Sequence, residues 1–86
     1  MITPLSKLTR GQSGSIVKVK AYADDTDEAE SLGVRLAEMG LVTGEAVTVR
    51  HHGPIARDPI AVSIRGGILA IGRREADLIM VEVTSS

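Results

Sequence analysis

Apolar and polar residues alternate, or apolar residues run together, in five short segments, a pattern typical of β-strands with a buried face. The segments are residues 15–21, 46–51, 60–65, 68–71 and 78–83. In the first segment we expect Val17, Val19 and Ala21 to face inward. The core residues expected from the later segments are Val49, Val62, Ile64, Ile79 and Val81.

One helix is predicted between the first and second strands. Asp25 and Glu28 form a capping box at its start. The apolar residues that follow at helical spacing are Ala29, Leu32, Leu36 and Met39. Gly40 is expected to end the helix in the left-handed conformation, with Leu41 folded back over the last turn.

Short turns complete the predicted secondary structure. Thr3 and Pro4 precede two leucines, and this order predicts one helical turn near the amino terminus. Gly66-Gly67 predicts a two-residue hairpin turn between the third and fourth strands. A further helical turn is expected over residues 73–77.

Five short strands and one inserted helix predict a mainly β fold, in which a strongly bent sheet closes into a small barrel. An open two-layer α+β sandwich gives the same pattern, because one helix packed over a sheet also explains it. The 86 residues suffice for a single domain, and we expect its ordered core to cover about residues 5–83.

Composition excludes several classes of function. The chain has no cysteine, so disulfides, thiolate metal sites and a cysteine nucleophile are absent. The net charge is −1 and Tyr22 is the one aromatic residue, so the chain lacks the cationic surface and stacking platforms of a nucleic-acid binder. No apolar run approaches the about 20 residues of a membrane span, so we expect a cytoplasmic protein that meets a membrane only through a partner.

The common catalytic motifs of hydrolases, nucleotide-binding proteins and metalloproteases do not occur, so we expect a protein that is not an enzyme and requires no cofactor. His51 and His52 are the candidate metal ligands. Adjacent residues on a strand point to opposite faces, so one ion would need further donors from a second chain. We therefore expect at most adventitious binding of a divalent ion.

The order and spacing of several short motifs resemble the FeoA family. The motifs are Arg35-Leu36-Ala37-Glu38-Met39-Gly40-Leu41, Gly44, Gly53-Pro54, Asp58-Pro59, Leu69-Ala70-Ile71 and Arg73-Arg74-Glu75-Ala76. The resemblance implies a five-stranded Src-homology-3-like barrel with one inserted helix. It also implies a cytoplasmic accessory role beside the FeoB-type membrane GTPase that imports ferrous iron in bacteria. The same module forms the C-terminal domain of repressors of the diphtheria-toxin-repressor class.

We expect the surface that docks on this transporter to surround the corner at Met39-Gly40-Leu41 and a neighbouring loop over residues 53–59. The residues assigned to partner binding are Met39, Gly40, Leu41, Gly44, Gly53, Pro54, Asp58 and Pro59. In the competing interpretation Met39 belongs to the core. The alternative function is that of a small transition-metal-binding protein or iron chaperone, and a weak homodimer is a further expectation.

Overall fold

The computed structural model describes residues 1–20, 34–55 and 58–85 of the chain. Within these ranges six strands form one antiparallel sheet. The strands are β1 (Ile2–Pro4), β2 (Ser13–Val19), β3 (Ala46–Ile55), β4 (Asp58–Ile64), β5 (Gly67–Ile71) and β6 (Ile79–Ser85). Their order across the sheet is β1-β6-β2-β3-β4-β5, so β1 and β5 form its two edges.

Helical structure in the described ranges is confined to short segments. A 3-10 turn covers Leu5–Lys7. Helix α1 covers residues 34–38, and the start predicted for it at Asp25 and Glu28 lies outside the described residues. Helix α2 covers Arg73–Ala76, where a helical turn was expected. This mainly β architecture confirms the predicted fold class, with one strand more than the five predicted.

The extra strand is β1, in a segment that we predicted to be helical. Pro4 pairs with Met80 of β6, and the helical turn begins only at Leu5. Proline fits both places because its fixed φ suits an edge strand as well as a helix start. The leucine spacing predicted the turn correctly, since both Leu5 and Leu8 are fully buried.

Strand β2 does not keep the predicted alternation. Ile16 and Val19 are buried, whereas Val17 is 38% exposed. The register of β2 on β6 shifts between Ile16 and Lys18, and such a bulge reverses the face on which the following side chains lie. The inward prediction was therefore right for Val19 and wrong for Val17, while Ala21 lies outside the described residues.

The turn between β4 and β5 lies one residue earlier than predicted. Ile64 pairs with Gly67, so the turn residues are Arg65 and Gly66. Both have positive φ, 52° and 82°, as a type I′ turn requires. The pair Gly66-Gly67 was the natural prediction because arginine seldom adopts this backbone conformation.

The core gathers side chains from every described helix and strand except β1. All five residues predicted from the later strands are buried, and none is more than 7% exposed. The large, fully buried side chains that join them include Leu5, Leu8, Ile16, Leu36, Leu41 and Ile60. Close packing of aliphatic residues therefore holds the sheet, the 3-10 turn and α1 together.

We expect Val62→Ala to lower the free energy of unfolding by about 1–3 kcal/mol, because it leaves a cavity in a fully buried site. Val17→Ala is the matched control, since the same two methyl groups are removed from a half-exposed position. Urea unfolding of both variants measures the difference. Equal losses would contradict the register of β4 or the bulge in β2.

Candidate partner-binding surface

The corner after α1 is a Schellman motif. Gly40 has a φ of 90°, and its N–H donates to the carbonyl of Ala37 at 3.0 Å. The N–H of Leu41 donates to the carbonyl of Leu36 at 2.9 Å. These two bonds and an apolar contact across the last turn define the motif, which folds the residue after the glycine inward.

The structure corrects the role that we predicted for Leu41. Its side chain is fully buried in the core cluster that also contains Leu36. A partner cannot reach it while the domain is folded. Met39 is partly buried and packs against the same cluster, which supports the competing interpretation of that residue.

Arg65 covers the remainder of the corner. A Cβ added to Gly40 would lie 3.1 Å from the Cδ atom of Arg65, so Gly40 itself is buried. The Nε atom of Arg65 lies 3.6 Å from a carboxylate oxygen of Glu45. Arg65 was not predicted to lie at this corner, because its contacts with Gly40 and Glu45 have no local signal in the sequence. Of the residues predicted at this corner, Gly44 is exposed.

Residues 53–59 do not form the loop that we predicted. Strands β3 and β4 continue as a hairpin in which Ile55 pairs with Asp58. At Gly53 the two backbones approach closely, since an added Cβ would lie 2.7 Å from the nitrogen of Pro59. Pro54, Asp58 and Pro59 are exposed on this hairpin.

Asp58 has a structural contact of its own. Its Oδ1 atom accepts a hydrogen bond at 2.9 Å from the backbone N–H of Arg73, the first residue of α2. The hairpin is thereby fixed to α2, while Arg65 stands at the opposite end of β4. Seven residues of extended strand separate the two ends by about 20 Å. The corner and the hairpin are therefore not neighbours, contrary to the prediction.

The two histidines also diverge. His51 is exposed, whereas His52 is half-buried and its Nε2 atom lies 3.1 Å from the carbonyl oxygen of Leu8. Within the described ranges no group of three or more His, Cys, Asp or Glu side chains is placed to hold a metal ion. Metal binding by His51 or His52 stays a prediction.

Of the large apolar side chains in the described strands, the two most exposed were not predicted from the sequence. Ile55 is 78% exposed at the end of β3, and Ile68 is 70% exposed on β5. Strand β5 is a continuous apolar run, so its periodicity could not indicate which residues face outward. No helix in the described part of the chain is long and apolar enough to cross a membrane.

Comparison with known proteins gives one family profile and several solved structures. The FeoA domain profile matches residues 3–83. No curated protein matches the chain. Iron(II) transport protein A from Clostridium thermocellum is 32% identical with a TM-score of 0.80, and the match covers 95% of this chain and 46% of that one.

A second solved structure supports the barrel type. FeoA from Stenotrophomonas maltophilia, complexed with zinc and described as an SH3 domain protein, is 28% identical with a TM-score of 0.74; the match covers 95% of this chain and 89% of that one. IdeR from T. acidophilum is 22% identical with a TM-score of 0.74 over 96% of this chain and 34% of that one, and shows the fold alone.

These findings confirm the Src-homology-3-like fold that the motif order implied. The profile match includes all the elements from the 3-10 turn to α2 and most of β6. It also includes every motif on which the resemblance was based. The chain belongs to the FeoA family, which is associated with ferrous iron transport.

Proposed function

We propose that the chain is an accessory protein of bacterial ferrous iron uptake that binds the cytoplasmic part of a FeoB-type GTPase transporter. The observation that carries this proposal is the FeoA domain match over residues 3–83. The similar protein from Stenotrophomonas maltophilia has the proposed role of a ferrous iron transport activating factor. A role in binding rather than in catalysis agrees with that description.

The physical form of the domain supports the same proposal. A small barrel with a tightly packed aliphatic core offers a rigid surface, and rigid surfaces lose little conformational entropy when they bind. Exposed apolar side chains such as Ile68 provide contact area on that surface. The chain would thus act by occupying a site on the transporter and changing its assembly or its GTPase cycle.

The proposal is tested with the full chain and the full-length FeoB-type transporter of the same genome, purified in detergent. We expect saturable binding in biolayer interferometry and a change in the rate of GTP hydrolysis when the chain is added. An unrelated SH3-like domain of similar size is the control for non-specific adsorption. A transporter that neither binds the chain nor changes its GTPase rate would refute the proposed function.

A further inference from the structure

Strand β5 pairs with another described strand on one side only. It pairs with β4 along its whole length: Ile71 lies opposite Ile60, and Gly67 lies opposite Ile64. Strand β5 is the last strand at one edge of the sheet. This ladder has no register shift, unlike those between β2 and β6 or between β3 and β4. Within the described ranges β5 is therefore a regular strand with one unpaired edge.

The hairpin geometry shows which backbone groups line that edge. Ile64 and Gly67 flank a two-residue turn and form the first hydrogen-bonded pair. Pairs alternate along an antiparallel ladder, so the N–H and C=O groups of Ile68 and Ala70 point away from β4. Both residues are exposed, and the Ile68 side chain presents its apolar surface beside these groups.

Natural proteins usually protect a sheet edge by shortness, proline, charge or a bulge. Strand β1, the opposite edge, has three residues and ends in Pro4. Strand β5 has five residues, all glycine or apolar, and it carries no proline, charge or bulge. Among the described residues, one edge of the sheet is protected and the other has no pairing strand.

Charges at the two ends of β5 select what can pair with it. Arg65 precedes the strand, Arg73 and Arg74 follow it, and all three are exposed. Arg65 also lies 3.6 Å from a carboxylate oxygen of Glu45, but its side chain is 64% exposed. If a second copy paired antiparallel over the full strand, Gly67 would oppose Ile71 and Arg65 would therefore oppose Arg73. Like charges in such positions are destabilising, so self-pairing is disfavoured. A strand with carboxylates at both ends has the complementary charge.

We propose that the open edge of β5 receives an extended segment of the transporter, apolar at its centre and acidic at its ends, as an added strand. This inference rests on the proposed function, because it names the contact through which the transporter is bound. Main-chain hydrogen bonds to Ile68 and Ala70 supply the pairing. The flanking arginines favour one register and disfavour pairing with a second copy of the chain.

The test uses two substitutions on the edge and one matched control. Ile68→Lys places a charge on the exposed face, and Ala70→Pro removes an outward N–H without removing a bond to β4. Ile55→Lys is the control, because it makes the same change at a similarly exposed isoleucine on another strand. Thermal melts establish that each variant is folded before binding is measured.

We expect Ile68→Lys and Ala70→Pro to weaken binding to the detergent-purified transporter by about tenfold or more, while Ile55→Lys binds like the parent. Hydrogen exchange at Ile68 and Ala70 should slow in the complex. Parental binding by folded Ile68→Lys would overturn the β5 inference and leave the proposed function intact. If Ile55→Lys alone lost binding, the interface would lie on the hairpin between β3 and β4. If the parent chain formed a dimer that Ile68→Lys abolished, the edge of β5 would serve for self-pairing. A parent chain that does not bind at all refutes the proposed function instead.

Discussion

Leu41→Asp will abolish cooperative folding of the chain at 25 °C. The Leu41 side chain is fully buried, and the N–H of this residue is fixed by the carbonyl of Leu36. A carboxylate placed there either stays charged without a partner or takes up a proton, and both states cost several kcal/mol. A domain of this size is stable by only about 5–10 kcal/mol. The circular dichroism spectrum should lose its strand signal.

Thr43→Asp is the control for this substitution. Thr43 lies in the same corner but is exposed, so its new charge stays in water. We expect the control to melt within a few degrees of the parent. If Leu41→Asp instead melted with the parent, the corner would be open and Leu41 would again be available to a partner.

Sequence pattern predicted the regular strands well, because each of them has a continuous inner face. In β4, Val62 and Ile64 lie two residues apart and are both buried, as alternation predicts, although Ala61 beside them is buried as well. Ile79 and Val81 follow the same rule in β6. Where a strand remains in one register, apolar alternation is sufficient to identify its core residues.

The pattern failed where contacts distant in sequence decide the conformation. The bulge in β2 depends on how that strand pairs with β6, more than sixty residues away, so Val17 could not be placed from its neighbours. Arg65 adopts a positive φ in the turn between β4 and β5, and its side chain lies over Gly40 and near Glu45. Neither contact has a local signal in the sequence.

The residues predicted for docking do not form one contiguous patch, for a related reason. Their motifs at the corner and at residues 53–59 are near each other along the chain, but the length of β4 separates them in the structure. The open edge of β5 could not be predicted because an edge is a property of strand order. The family could still be identified, because the resemblance rests on the order and spacing of the motifs and not on strand order or side-chain contacts.

Gly14→Ala will destabilise the domain by about 3 kcal/mol or more. Gly14 is buried where β2 pairs with β6, and an added Cβ would overlap Cγ1 of Val81 and lie 2.6 Å from the carbonyl oxygen of Glu82. The oxygen belongs to the backbone, so relief requires β2 to move away from β6. Overpacking a core commonly costs about 1–3 kcal/mol, and displacement of a central ladder adds to this cost.

Gly67→Ala is the matched control at the start of β5. A Cβ added to Gly67 would have the carbonyl oxygen of Ile64 as its nearest neighbour, at 3.9 Å, which is an ordinary van der Waals distance. We expect this variant to match the parent or to gain up to about 1 kcal/mol, since alanine restricts the unfolded chain. Guanidinium unfolding of both variants measures the difference. If Gly14→Ala were as stable as Gly67→Ala, β2 and β6 could not approach as closely as the structure shows.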